Sequence, residues 1–270
     1  MSGIDLEAEY NNRARVPEHP AIIEGWARDA AAYRTENPPK VIHYGESERQ
    51  IIDLFPADGT VATVAFIHGG YWQGLAPSFF SHLARGLNAH GLTVGLIGYD
   101  LCPAVRVGDI IEQVRRATAR LAAETGRSVV ASGHSAGGHL AACLLATDWA
   151  RYGAPEALVR SAYAISGVFD LEPLIQVSQN AALRLDEAEA RAVSPVHWTP
   201  PPGIVLDAAV GALESSEFLR QSRLIAEVWG RAGVTVRYDE IAGTNHFTVV
   251  APLADPASPM TRRVAALATA

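Results

Sequence analysis

The stretch Ser128-Val129-Val130-Ala131-Ser132-Gly133-His134-Ser135-Ala136-Gly137-Gly138-His139-Leu140-Ala141-Ala142-Cys143-Leu144-Leu145 decides how this chain reads. An apolar run, a Gly-x-Ser-x-Gly turn and a helix-like run follow one another without a gap. With 23 glycines in 270 residues, a bare Gly-x-Ser-x-Gly arises by chance in roughly one such chain in ten. The strand before it and the helix after it therefore carry the reading. Together they describe a sharp strand–turn–helix that lifts the Ser135 hydroxyl above the sheet edge, with glycines on either side keeping neighbouring side chains away.

Outward from that turn the pattern alternates. Residues 61–67, 92–98, 128–132, 160–166, 204–210 and 234–241 read as strands. Residues 77–89, 109–124, 136–147 and 217–231 read as the helices between them. Ahead of these come a helix over 20–33 and a strand pair, 41–44 and 50–55, joined by Gly45-Glu46-Ser47. Such alternation predicts an α/β fold: a mostly parallel central sheet with right-handed crossovers, flanked by helices. Ligands of such sheets bind beyond the carboxyl ends of the strands, where Ser135 would sit. Residues 170–202 interrupt the pattern and end in Pro195, Pro200, Pro201 and Pro202. They are expected to form a small cap-like insertion over the site, within a single domain spanning 1–270.

Composition narrows the function classes. Hydrophobic residues make up 49% and charged residues 19%, which excludes a largely disordered chain. The net charge is −7, and with no Lys/Arg cluster neither nucleic acid nor an anionic membrane is expected as a partner. A small-molecule substrate is expected instead, and a homodimer is the one assembly left open. Cys102 and Cys143 are the two cysteines; two distant thiols are no disulfide framework and suit a reducing compartment. The first residues, Met1-Ser2-Gly3-Ile4-Asp5-Leu6-Glu7, lack the basic and apolar regions of a signal peptide. A cytoplasmic location is expected.

A serine hydroxyl is a weak nucleophile until a base takes its proton and a carboxylate orients that base. In a strand–turn–helix site of this kind the chain order is nucleophile, acid, histidine. Past the helix that follows Ser135 there are two histidines, His197 and His246. His246 lies just beyond the last predicted strand, where a loop can return to the sheet edge, and is the expected base. His197 sits inside the proline-rich insertion. For the acid, Glu214 follows the strand over 204–210 and takes first place, ahead of Asp170 and then Asp239. Asp207 lies within a strand, and Glu217 belongs to the start of a helix behind Ser215 or Ser216. The oxyanion donors are expected to be the amides of Ala136 and of Gly69 and Gly70, in the loop His68-Gly69-Gly70-Tyr71-Trp72 after the strand over 61–67.

Other chemistry fits less well. His134 and His139 are five apart, not the four that set two ligands on one helical face, and there is no His-Glu-x-x-His. No metal is expected. The turn lacks the lysine of a phosphate-binding loop and the spacing of a dinucleotide turn. Cys102 reads as a small buried hydrophobe rather than a nucleophile. Tyr71, Trp72, Phe169, Trp198 and Phe247 all fall at predicted strand ends or in the insertion, and are expected to line an aromatic substrate pocket.

With these residues assembled, the chain resembles the kynurenine formamidases (arylformamidases) of the α/β-hydrolase superfamily. The resemblance is carried by His68-Gly69-Gly70-Tyr71-Trp72, which matches an H-G-G-x-W motif, and by Gly133-His134-Ser135-Ala136-Gly137-Gly138-His139-Leu140. It extends through Glu9-Tyr10-Asn11-Asn12-Arg13, the run from Ser166 to Pro173, Ser194-Pro195, Glu217-Phe218 and Asn245-His246-Phe247. It implies an α/β-hydrolase fold and hydrolysis of N-formyl-L-kynurenine to formate and L-kynurenine, without metal or other cofactor. The family's triad is Ser-Asp-His, its acid three residues before the Glu-Phe pair. That position here is Glu214, so the chain departs from the usual aspartate. A small-acyl carboxylesterase with the same triad is the alternative, and a non-catalytic binding module a distant third. Arg49, Arg106 and Arg184 are available to hold a substrate carboxylate, with nothing in the sequence to choose among them.

Overall fold

The computed structural model describes residues 4–269; residues 1–3 of the N-terminal stretch read above lie outside them. Eight strands form one sheet: β1 (Lys40–His43), β2 (Ile51–Phe55), β3 (Ala62–Ile67), β4 (Leu92–Ile97), β5 (Val129–His134), β6 (Val159–Ile165), β7 (Val205–Gly211) and β8 (Thr235–Ile241). Their order across the sheet is β1-β2-β4-β3-β5-β6-β7-β8. β2 runs antiparallel to β1 and β4, and the remaining pairings are parallel. The helices are α1 (Leu6–Tyr10), α2 (Asn12–Arg15), α3 (His19–Glu36), α4 (Ala84–Asn88), α5 (Val107–Thr125), α6 (Ala136–Leu145), α7 (Asn180–Leu183), α8 (Glu187–Ala192), α9 (Ser216–Arg231) and α10 (Pro259–Leu267).

Successive side chains of a strand point to opposite faces, so a strand buried on both sides must be apolar throughout. β3 shows this: Val64 and Phe66 pack into one core with Trp26 of α3, Leu87 of α4 and Val264 of α10. Ala65 and Ile67 pack into the other with Val114 of α5, Leu140 of α6 and Trp229 of α9. At Gly95 of β4 a Cβ would meet Leu121 at 2.7 Å, so the bare backbone lets α5 sit down on the sheet. No helix among the described residues is long and apolar enough to cross a membrane.

The expected strands match the structure to within a residue or two, and α3 runs three residues past its expected end. Two elements differ. The helix expected over 77–89 is broken into two 3₁₀ turns, Pro77–Phe79 and Ser81–Leu83, before α4 begins. Phe80 between them leaves helical backbone at φ −120°, which seats its ring 5.2 Å from Trp26 and 5.9 Å from Phe66. Beyond β8 the sequence suggested no element, yet α10 closes one face through Met260, Val264 and Leu267. The segment 170–202 lies between β6 and β7 and holds α7, α8 and two 3₁₀ turns.

Candidate active site

β5 ends at His134, and the chain reverses into α6 through Ser135 at φ 59°, ψ −120°. A non-glycine residue at positive φ costs on the order of 1–3 kcal/mol, tolerated where the surroundings over-determine it. Here they do. Ser135 N–H donates to Ile165 O of β6 at 2.8 Å. A Cβ on Gly137 would fall 1.9 Å from Ile67 O, and one on Gly133 would fall 2.2 Å from Gly137 O. The glycines of the motif thus let α6 begin in contact with β3 while the serine hydroxyl stays clear.

Ser135 Oγ lies 3.0 Å from His246 Nε2, and His246 Nδ1 lies 2.6 Å from Glu214 Oε2. A carboxylate accepts, so Nδ1 carries the proton and Nε2 is left to accept from the serine. The other Glu214 oxygen accepts from Ser166 Oγ at 2.5 Å and from Gly211 N–H at 2.8 Å. Both oxygens are therefore held, in a side chain with no exposed surface. Glu214 gets there through a turn at the end of β7, its N–H donating to Gly211 O at 3.0 Å. His246 sits on the loop after β8, which Asn245 shapes by accepting from the N–H groups of Phe247 and Thr248. The Phe218 ring packs 4.6 Å from the imidazole.

His134, next to the serine, supports the same loop. Its Nε2–H donates to the backbone carbonyl of His246 at 2.7 Å. Burial, reinforced by the nearby His246, pushes the His134 pKa well below the ordinary histidine value, so the ring stays neutral and keeps this donor–acceptor arrangement.

The other carboxylates weighed from sequence are engaged elsewhere. Asp170 accepts from Glu172 N–H and faces Arg220 at 3.9 Å. Asp207 pairs with Arg263, Asp239 with Arg237, and Glu217 with Tyr10 and Arg220. Ser215 caps α9 by accepting from Phe218 N–H. His197 lies 3.6 Å from Glu172 at the surface. Asp170, Glu172 and His197 come within 4.8 Å of one another, but Arg220 and Arg191 already face the two carboxylates.

On the far side of Ser135 runs the loop after β3. A Cβ on Gly69 would fall 2.9 Å from Ser135 Cβ, so the Gly69 backbone lies directly against the serine. Gly70 takes φ 107°, and a Cβ there would strike Gly74 O at 2.4 Å. Among the described residues, none accepts a hydrogen bond from the amides of Gly69, Gly70 or Ala136. His68 anchors the loop: it stacks on Tyr99 at 4.3 Å, and Tyr99 donates to its carbonyl at 2.9 Å.

A cavity of about 220 Å³ opens onto Ser135 and His246. Of the five aromatics expected to line it, Tyr71 and Phe247 do so, and Trp72, Phe169 and Trp198 do not. Trp72 turns inward at φ 55° and is fully buried, edge-on to His139 at 5.1 Å. Phe169 is likewise buried, its ring filling the space above Gly167. Trp198 lies under the Arg115 guanidinium at 5.5 Å and donates to Ala192 O. Trp26, Ile23 and Leu75 supply apolar wall that the sequence reading missed. From the segment 170–202, Gln179 reaches the cavity, while Asn11, Asn12 and Arg13 add to the wall from the N-terminal side. That side is tied down: Tyr71 Oη–H donates to Tyr10 O at 2.5 Å, and Tyr10 Oη–H donates to Glu217 at 2.8 Å. The Glu9-Tyr10-Asn11-Asn12-Arg13 stretch was the one sequence signal that pointed there.

Comparison with known proteins agrees with this geometry. Residues 64–250 match a family described as having the alpha/beta hydrolase fold. A kynurenine formamidase of Danio rerio is 30% identical over 224 residues, covering 79% of this chain and 76% of that protein. One from Drosophila melanogaster is 29% identical, covering 91% of each chain. A crystal structure from a Silicibacter species, of a protein described provisionally as a thioesterase, superimposes with a TM-score of 0.86 at 34% identity, covering 99% of this chain and 100% of the other. By fold and sequence, the chain belongs to the kynurenine formamidase family of α/β hydrolases.

Proposed function

We propose that this protein hydrolyses an aryl formamide, N-formyl-L-kynurenine, to L-kynurenine and formate, with Ser135 as nucleophile, His246 as base and Glu214 as the acid that orients it. The observation that carries the reading is the hydrogen-bonded line Ser135–His246–Glu214 at the floor of a small, partly aromatic cavity. In this mechanism His246 Nε2 takes the serine proton as Oγ attacks the formyl carbon. The amides of Gly69, Gly70 and Ala136, which have no other acceptor, face the developing oxyanion. His246 then gives its proton to the departing arylamine, a better leaving group than an alkylamine because its lone pair delocalises into the ring. Water, deprotonated by the same imidazole, releases formate from the formyl-serine. Ligand pockets commonly measure about 300–1,000 Å³, so about 220 Å³ suits a single-ring substrate with a small acyl group. Buried free thiols at Cys102 and Cys143 suit a reducing cytoplasm.

The test is kcat/KM for N-formyl-L-kynurenine against its N-acetyl analogue and a series of p-nitrophenyl esters. A formyl preference of about tenfold or more supports the assignment, the size expected when one methyl must be excluded. Equal or rising activity with acyl length would replace it with a small-acyl carboxylesterase.

A further inference from the structure

We infer that Arg13, with Asn12 beside it, is the recognition site for a carboxylate on the substrate's tail; the inference rests on the amino-acid formamide reading above and names the residue that would make the enzyme select it. The charge inventory of the cavity wall leads there. Among the described residues Arg13 is the one permanently charged side chain lining it, and no Asp or Glu does. Among the described residues Arg13 forms no ion pair, whereas Arg220, the arginine beside Glu217, is engaged by Asp170 and Glu217. Asn12 is 4% exposed, and its side-chain amide nitrogen is buried without a partner. An unsatisfied buried donor is costly unless something arrives to accept from it.

The three arginines available from sequence are excluded by what they do. Arg49 donates to the carbonyls of Tyr99 and Leu75, and Arg106 is paired with Glu189. Arg184 does not reach the cavity wall. The backbone that carries Arg13 is fixed on both sides. Glu9 accepts from Ser216 and from Glu217 N–H, Asn11 accepts from Ala14 N–H, and Tyr10 is gripped by Glu217 and Gln221. A guanidinium offers a planar fork that matches a carboxylate with two parallel hydrogen bonds, so a free arginine on a rigid segment of an otherwise uncharged wall selects for an anionic ligand.

The experiment measures kcat/KM for N-formyl-L-kynurenine and for N-formyl-2-aminoacetophenone, which keeps the aryl formamide and lacks the carboxylate. The ratio of the two is read in the wild type, Arg13→Gln, Arg13→Lys and Arg15→Gln, the last an exposed arginine outside the cavity wall. Arg13→Gln should lower the ratio about tenfold or more, chiefly through KM for the anionic substrate. Arg13→Lys should restore part of it, and Arg15→Gln should keep the wild-type ratio. High salt should shrink the wild-type ratio, since Arg13 is exposed and its attraction is screened. A parallel loss on both substrates, or an unchanged ratio in Arg13→Gln, would overturn the assignment. If the wild type cleaves neither formamide but does cleave aryl esters, the formamide reading fails by itself. The same ratio, taken between aryl acetates with and without a carboxylate tail, then decides on Arg13 independently.

Discussion

Acid should destabilise this protein through histidines that the fold keeps neutral. His68, His134 and His139 are almost wholly shut away from water. Burial is the largest influence on each: it lowers His68 to about 3, His139 to about 4 and His134 well below the ordinary value. In the unfolded chain the same rings titrate near 6.5. Between the folded and unfolded values the unfolded state binds the extra proton, so the stability these rings permit is fully present above about pH 6.5 and falls as the pH drops towards 4. At pH 5.5, one unit under the unfolded value, linkage gives about 1.4 kcal/mol lost per ring. Three rings give about 4 kcal/mol, a large share of the roughly 5–15 kcal/mol that holds a domain folded. His139 isolates the effect because it lies outside the Ser135–His246–Glu214 line and donates from Nε2 to Val193 O at 2.7 Å. His139→Gln keeps an amide donor there and removes the titration. Urea unfolding of both proteins at pH 7.5 and 5.5 should show a pH-dependent loss about 1.4 kcal/mol smaller in the variant, whatever its stability at pH 7.5. An equal loss in the two proteins would refute the reasoning.

Other outcomes follow from the same geometry. Ser135→Ala and His246→Ala should each lower kcat on the order of 10⁶-fold with the thermal midpoint kept, and Glu214→Gln should cost about 10³–10⁴-fold because it acts through the imidazole; if Asp170→Asn proved the more damaging, the acid would be misassigned. Burial pushes Cys102 up to about 11 and Cys143 up to about 12, so maleimide or aromatic disulfide reagents at pH 8 should label the thiols only after unfolding. Gly137→Ala, with its Cβ 1.9 Å from Ile67 O, should yield little folded protein; a wild-type thermal midpoint would show that the elbow tolerates what its packing forbids.

Strands buried on both faces announce themselves as unbroken apolar runs, which is why β3 to β7 are legible in the amino-acid sequence. The proposed catalytic line is legible for a related reason: a strand end fixes where a backbone arrives, and Ser135, Glu214 and His246 all follow within five residues of one. Side-chain direction is not fixed that way. Trp72 shares a loop with Tyr71, yet a local turn sends one ring into the core and leaves the other on the cavity wall. Trp26 escapes notice because it reaches the cavity at Ser135 only in three dimensions, more than 100 positions away along the chain, and Asn12 and Arg13 are flagged by the family resemblance alone. Ser166 carries no sign in the sequence that its hydroxyl holds an acid 48 residues on.

Where the fold spends conformational strain shows how a glutamate can serve in a place where the family resemblance implies an aspartate. Among the described residues six non-glycine residues have positive φ, and five of them (Tyr71, Trp72, Leu75, Ser135 and Ser166) lie at the carboxyl edge of the sheet around the site. At on the order of 1–3 kcal/mol each, such a cluster persists because the two cores on either side of the sheet hold the strand ends in place. Ser166 is the informative member. At φ 51° it departs from the line of β6, and its hydroxyl meets Glu214 while its N–H stays bonded to Ala209 O of β7 at 2.7 Å. A glutamate has one more rotatable bond than an aspartate and, left alone, would orient the imidazole less firmly. Two donors on Oε1, one from Ser166 and one from the Gly211 amide, remove that extra freedom and leave Oε2 for His246. The longer acid is held by the turn after β7 and by a strained serine that pins it, which leaves Oε2 at 2.6 Å from His246 Nδ1.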